Sequence, residues 1–144
     1  MLCSSVVLLN LLDEHCYQWN QYLDEERRTG VEPTSEYDFV YLIPSRTSTA
    51  ENRGYAFINF TSPRAAQRFY KSFHGWKWGA PEPCKIISQV SPAKIQGMEA
   101  LLHNFLGKCR APTYIERPMF FHTPRRGFDV KEWIWPIWVA PQFY

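Results

Sequence analysis

The chain has 144 residues, the length of one small domain, and leaves little sequence for a second core. Its formal net charge is only +2, which excludes nucleic-acid binding driven by the charge of the whole protein, so a basic footprint must be local. Residues 2–12 are apolar, but they lack a positive leader and run into Asp13 and Glu14. We therefore expect neither a signal peptide nor a membrane span.

The cysteines and histidines form no recognisable site. Cys3, Cys16, Cys84 and Cys109 are widely spaced, and they show no C-x-x-C pair and no zinc-ligand spacing with the histidines. We expect free thiols in a reducing compartment, without a metal or another cofactor. Because no nucleophile–base set, paired carboxylates or phosphate-binding loop stands at a suitable spacing, we predict no catalytic residues and no enzymatic activity.

The first predicted element is a helix that begins near Val7. Its apolar residues recur at steps of three and four: Leu8, Leu11, Leu12, His15, Cys16 and Trp19. We interpret the polar triplet 13–15 as a solvated edge of this helix. Residues 24–35 are polar, contain Gly30 and Pro33, and predict a loop.

Residues 37–43 predict a strand, which Pro44 ends. Asp38 is difficult to bury, so its face, shared with Val40 and Leu42, is predicted to be the open face of the sheet. Phe39 and Tyr41 would then point into the core. A polar connector leads into the next strand, which indicates an antiparallel hairpin.

That next strand, residues 53–60, has the sequence RGYAFINF. Its order of basic, Gly, aromatic, small, aromatic, aliphatic, any and aromatic residues is typical of the third strand of an RNA recognition motif. Side chains alternate across a strand, so Ala56, Ile58 and Phe60 form one apolar face. The opposite face, which we call the octamer face, carries Arg53, Tyr55, Phe57 and Asn59. It offers two rings for stacking unpaired bases and a guanidinium for phosphate.

A second helix follows, with Ser62 as its N-cap and Pro63 at its first position. We predict an apolar stripe on it and a stop at Gly75; the stripe contains Ala66, Phe69, Tyr70 and Phe73. Residues 85–91 predict the last strand of the core. Residues 97–106 predict a third helix with one apolar side, formed by Met98, Leu101, Leu102 and Phe105.

These elements give an α+β fold, an RNA recognition motif of the ferredoxin-like sandwich type, with helices on one face of an antiparallel sheet. Its first strand is missing, and it has an extra C-terminal helix. Four blocks resemble the C-terminal recognition motif of the Mei-two-like RNA-binding proteins, especially the plant terminal-ear-like branch: LLNLLDEHC (8–16), YDFVYL (37–42), NFTSP (59–63) and AKIQG (93–97). We expect this domain to span residues 1–128, followed by an aromatic-rich tail at 129–144.

The resemblance implies single-stranded RNA as the partner, a nuclear or nucleocytoplasmic location, and a role in meiosis or in meristem and organ-initiation timing. It places RNA contact on Arg53, Tyr55 and Phe57. From their positions we add Asn59, which shares the octamer face, and Lys94, the best-placed cation for an RNA backbone. Other cations fit an RNA path or a solvated surface equally well: Lys108, Arg110, Arg125 and Arg126.

Two departures from the family pattern leave a second function open. Residues 1–6 replace the family's first strand, and Ser91-Pro92 stands where the family has Thr-Tyr. Without a first strand, one side of the octamer strand is predicted to be open, which favours marginal stability or strand exchange with another chain. The alternative is a degenerate motif that binds a protein through the sheet or through the tail, where Trp133, Trp135 and Trp138 lie.

Overall fold

A computed structural model describes residues 5–26, 32–44, 52–75, 77–78, 86–87, 89–106 and 118–127. In chain order its elements are α1 (Ser5–Glu26), β1 (Tyr37–Pro44), β2 (Asn52–Phe60), α2 (Pro63–Phe73), β3 (Lys77–Trp78), β4 (Ile86–Ile87), α3 (Met98–Leu106) and β5 (Met119–Arg125). The main sheet is antiparallel, with strand order β2-β1-β5. The fold is the predicted α+β arrangement of helices on an open sheet.

The antiparallel hairpin of β1 and β2 is confirmed, but the predicted faces of β1 are wrong. Tyr41 lies opposite Phe57 and Val40 lies opposite Ile58, so Phe39 and Tyr41 share the octamer face while Val40 enters the helical core. An irregularity in the pairing between Tyr37 and Phe39 explains the error. Because a bulge adds one residue to a strand, the strict alternation counted from Asp38 is lost there.

The core face of the sheet packs against α1 and α2. Its buried residues come from both helices and from the two strands β1 and β5: Leu8, Leu12, Cys16, Tyr37, Val40, Phe69, Met119 and Phe121. The apolar face of the octamer strand, namely Ala56, Ile58 and Phe60, packs against this cluster as predicted. The main core therefore lies between this face of the sheet and the two helices α1 and α2.

Helix α2 begins as predicted, and its predicted apolar stripe is confirmed in part. The Ser62 hydroxyl accepts a hydrogen bond from the Ala65 N–H at 3.1 Å, which confirms the N-cap. Ala65, Arg68 and Phe69 are buried, whereas two members of the predicted stripe, Ala66 and Tyr70, are exposed. The other two members, Phe69 and Phe73, pack in the core as predicted, and the buried side of the helix includes Ala65 and Arg68 in place of Ala66 and Tyr70.

Arg68 is buried because its guanidinium has partners on the segment before β1. It donates to the Pro33 carbonyl at 2.7 Å and to the Ser35 hydroxyl at 2.9 Å, and it pairs with Glu32 at 3.0 Å. A buried charge of this kind is stable only when its N–H groups are satisfied. Segment 32–36 thereby fixes the position of α2.

A second buried polar cluster corrects the prediction for residues 13–15. Glu14 is exposed, but Asp13 and His15 are buried. Tyr37 donates its hydroxyl to Asp13 Oδ1 at 2.5 Å, and Arg125 of β5 forms an ion pair with the same carboxylate. The sequence analysis did not predict β5. It therefore offered no partner for the Asp13 carboxylate, which was expected to face solvent.

The strand pairing bears on the prediction that the first strand is absent. Within the described ranges, β2 is the outermost strand of the main sheet, and β5 pairs with the other edge of β1. Among the described residues of the predicted last strand at 85–91, namely 86–87 and 89–91, Ile86–Ile87 forms a strand, and it pairs with Lys77–Trp78 in a separate small sheet. The open side predicted for the octamer strand agrees with this order; strand exchange remains a prediction.

Helix α3 lies on the octamer face, opposite α1 and α2. Leu101 is buried against Phe39 and Tyr41, with Met98, Leu102 and Phe105 packed around them. The predicted apolar side of the third helix is confirmed, but helices now cover both faces of the sheet. None of the described helices is long and apolar enough to cross a membrane. The predicted tail at 129–144 lies outside the described residues.

Candidate nucleic-acid interface

The octamer strand presents Tyr55 as its most accessible ring. The Tyr55 side chain is 48% exposed, and its ring centroid lies 6.2 Å from that of Phe57 in an edge-to-face arrangement. Gly54, immediately before it, has φ of +79°, a backbone conformation that residues other than glycine rarely adopt. The pairing of β1 with β2 is irregular here, between Leu42 and Pro44, and the glycine permits this irregularity just before the exposed ring.

Phe57 is half-buried because α3 covers it. The Phe105 ring lies 5.0 Å from Phe57 and 4.9 Å from Tyr41, and it stacks with Phe39 at 6.4 Å, all measured between ring centroids. We call these four rings the aromatic cluster. The predicted open face therefore holds for Tyr55 but not for Phe57, which an apolar helix covers.

Asn59 is held by a neighbour on β1. Its amide donates to Asp38 Oδ1 at 2.7 Å, and both side chains are partly buried. Burial raises the pKa of Asp38, while the hydrogen bond from Asn59 works in the opposite direction. The pair places an amide and a carboxylate beside the rings, groups that can recognise the edges of bases.

The predicted cations fall into two groups. Lys94 is exposed and precedes Ile95, which packs against the residues under α3, so Lys94 stands at the rim of the octamer face. Arg53 lies in β2, and its side chain is outside the described part of the structure. The RNA-contact roles of Arg53, Tyr55, Phe57, Asn59 and Lys94 remain predictions.

The arginines of the C-terminal segment have structural partners. Arg125 is bound by Asp13, which raises the pKa of the guanidinium, and it lies 5.2 Å over the Phe121 ring. Arg126 pairs with Glu36 at 2.9 Å. The sequence is compatible with RNA contact or a solvated surface for these arginines. For Arg125 the contacts favour a role in the fold. Lys108 and Arg110 lie outside the described residues.

Sequence reasoning missed three members of the aromatic cluster. Phe39 and Tyr41 were assigned to the opposite face, and Phe105 was recognised only as part of an apolar helix side. The available signal was the hairpin, because residues opposite each other across two strands share a face. This signal can be used only when the pairing register of β1 and β2 is known, and the sequence of the connector does not determine that register.

The described residues contain no cluster of His, Cys, Asp or Glu that could hold a metal ion. Cys16 is buried, and burial, the largest cause, raises the pKa of its thiol to about 12, so the thiol stays protonated and unreactive. Cys3, Cys84 and Cys109 lie outside the described residues.

Comparison with known proteins also points to a domain of the RNA-binding type. The sequence model of the family described as RNA recognition motif 2 matches residues 6–106. The chain is 40% identical over 127 residues to "Protein terminal ear1 homolog" of Oryza sativa subsp. indica, covering 86% of this chain and 18% of that protein. It is 36% identical over 130 residues to "Protein MEI2-like 7" of Oryza sativa subsp. japonica, covering 83% of this chain and 32% of the relative.

A more distant relative is "Meiosis protein mei2" of Schizosaccharomyces pombe, 32% identical over 115 residues, which cover 76% of this chain and 15% of that protein. The chain thus spans less than a third of the length of each of these three relatives. No solved structure matches it.

Proposed function

Because the chain belongs to the RNA recognition motif 2 family, whose members are non-enzymatic RNA-binding domains, we propose that it binds single-stranded RNA by stacking bases on the octamer face. The observation that carries this proposal is the exposed ring of Tyr55 on that face, beside Phe57. Every base has a π-face, so such a platform holds unpaired bases of any sequence. In a duplex these faces are stacked on neighbouring base pairs, which favours single strands.

The polar groups around the rings have complementary tasks. Asp38 and Asn59 are placed to bind base edges, while Lys94 at the rim and Arg53 in the strand supply charge for phosphates. Because only these two cations are assigned to phosphates, few counterions are released and the salt dependence of binding should be modest. Stacking then contributes most of the affinity.

For the biological setting, we propose a regulatory role in meiosis or in meristem and organ-initiation timing, with a nuclear or nucleocytoplasmic location. The name of the fission-yeast relative, a meiosis protein, supports the first role, and the name of the rice relative, a terminal ear1 homolog, supports the plant setting. The location rests on the family resemblance alone.

The second candidate is a protein-interaction module that uses the sheet or the Trp-rich tail. One observation favours it: the part of the octamer face around Phe57 already holds apolar side chains of α3. A face that packs a helix of its own chain has the chemistry to pack a partner's helix. The tail lies outside the described residues.

Fluorescence anisotropy with short, unstructured RNAs at two salt concentrations separates these candidates. Tyr55→Ala should weaken RNA binding by about 1–3 kcal/mol, the usual contribution of one base–aromatic stack. The control is Tyr70→Ala, since Tyr70 is exposed to a similar degree, 44% against 48%, but lies on α2. Equal affinities of Tyr55→Ala and wild type would refute stacking on this face; no RNA binding by the folded wild type would favour the protein module.

A further inference from the structure

We infer that α3 is a lid on the octamer face, and that RNA must move Phe105 away from Phe57 before a second base can stack. The inference rests on the proposed function, because it concerns access to the same face. It divides the face into two parts. Tyr55 is 48% exposed, whereas Phe57 is half-buried under Phe105.

The lid is inferred first from what Phe105 contacts. Its ring lies 5.0 Å from Phe57, tilted by 49°, within the spacing of favourable aromatic pairs. A base stacking on Phe57 needs the same side of that ring. Phe105 therefore occupies the position of a base, and the ring and the base exclude each other.

The second observation is the apolar character of the contact between α3 and the sheet. Leu101 is buried, and the remaining contact side chains, Met98, Leu102 and Phe105, are only half-buried. The described polar side chains that fix α1 and α2, in contrast, form ion pairs and hydrogen bonds in the interior. A short helix of nine residues held in this way is expected to detach at a lower cost than α1, which has 22.

The segment before α3 is built to pivot. Gly97 has φ of +88°, and no heavy atom lies within 4 Å of the position a Cβ would take, so glycine is needed there for its backbone conformation and not for space. The segment is anchored upstream where the Val90 N–H donates to His74 Nδ1 at 3.1 Å. Between these points, Ser91, Pro92 and Gln96 are exposed. Movement of α3 about Gly97 leaves the sheet intact.

The closed lid has a measurable consequence for affinity. When only a fraction of the molecules is open, the apparent Kd exceeds the intrinsic Kd by the inverse of that fraction. Tyr55 can hold one base without opening, while a strand that stacks on both rings must first displace Phe105. RNA binding and opening of α3 are then coupled.

The first test compares two substitutions on α3. Phe105→Ala should tighten RNA binding roughly tenfold, because it removes the ring that competes with the base. His103→Ala is the matched control, since His103 is exposed on the same helix, and it should leave the affinity unchanged. In a Phe57→Ala background, the gain from Phe105→Ala should disappear, as a double-mutant cycle reports.

The second measurement uses the wild-type chain, so it does not depend on whether the Phe105 variant folds. Saturating RNA should accelerate amide hydrogen exchange in residues 98–105, whereas exchange in the β1–β2 hairpin should slow or stay the same. Unchanged or slower exchange in α3 would overturn the lid. It would show that the helix stays in place while RNA binds.

The outcomes separate the two proposals. If Tyr55→Ala leaves affinity unchanged, the stacking function fails and the lid fails with it. If Tyr55→Ala weakens binding but Phe105→Ala leaves it unchanged or weakens it, the function stands, and α3 is a fixed part of the RNA site. Tighter binding by Phe105→Ala together with faster exchange in α3 supports the lid.

Discussion

Helices pack against both faces of the main sheet through apolar side chains, yet the helices on the two faces are fixed by different interactions. On the core face, buried charges link the helices to other segments: Asp13 of α1 to Tyr37 and Arg125, and Arg68 of α2 to segment 32–36. On the octamer face, aromatic and aliphatic side chains hold α3. Apolar contacts are non-directional, so the side chains can slide against one another, whereas removing one partner of a buried ion pair leaves an uncompensated charge and is costly.

The difference suggests a division of labour. The core face determines where the strands lie, and the octamer face carries the rings that recognise the ligand. Binding surfaces are commonly drawn from the less stable part of a fold, because they must open to admit a partner. Breaking the fixed side should unfold the domain, while weakening the other side should release α3.

The largest expected effect comes from Asp13→Ala. The substitution leaves Arg125 and the Tyr37 hydroxyl without their buried partner, and losing one member of a buried pair costs about 3–5 kcal/mol of unfolding free energy. Glu14→Ala removes the neighbouring, exposed carboxylate and should change stability by less than about 0.5 kcal/mol. Urea denaturation of both variants measures this, and similar midpoints would show that the pair does not hold the core face together.

The next effect is a dependence of stability on pH, which arises from His15. Its Nε2 atom is buried without a hydrogen-bond partner in the described part of the chain, between the rings of Phe69 and Phe73. Burial, with a smaller contribution from Arg68, lowers the pKa of His15 from 6.5 to about 4. The unfolded chain therefore binds a proton on this residue at a higher pH than the folded one.

The direction of the pH dependence follows from the lower pKa of His15 in the folded state. The contribution of neutral His15 is fully present above pH 6.5 and is lost as the pH falls from 6.5 to about 4, a total of about 3 kcal/mol. His15→Gln cannot titrate, so the difference in unfolding free energy between it and wild type should change across this interval. His103→Gln, at an exposed position, is the control. A pH profile shared by all three chains would contradict the burial of a neutral imidazole.

The smallest expected effect is the difference, about 2 kcal/mol, between one leucine substitution on each face. Leu12 of α1 and Leu101 of α3 are the same residue type, with 0% and 2% exposure. Leu12→Ala should cost about 4 kcal/mol, within the usual range for a buried leucine, and Leu101→Ala about 2 kcal/mol, because α3 can detach in place of global unfolding. Thermal and urea unfolding give both values. A cost at Leu101 as large as that at Leu12 would mean that the two faces are equally fixed.

Local signals predicted much of this fold. The cap of α2 at Ser62, the hairpin around the octamer and the apolar side of α3 each depend on neighbours within a few residues. The errors arise where distant segments meet. Strand β5 pairs with β1 across a long stretch of sequence, and without it the burial of Asp13 had no explanation.

The candidate site was predicted in part for the same reason. The octamer motif indicated which residues of β2 share a face, since alternation is a local property. Which residues of β1 join that face depends on the bulge near Asp38, and whether the face is open depends on the packing of α3. Neither can be counted from a single strand, so Phe57 was expected in solvent and lies under Phe105.

The contact between the two ends of the described chain has a consequence for the order of folding. Asp13 and Arg125 are 112 positions apart, and a Cβ on Gly127 would lie 2.6 Å from the Tyr17 backbone nitrogen, so the segment after β5 rests directly on α1. During synthesis, α1 leaves the ribosome long before its partner exists. The Asp13 carboxylate of α1 therefore has no Arg125 partner in the nascent domain, and the core can be completed only once Arg125 has emerged.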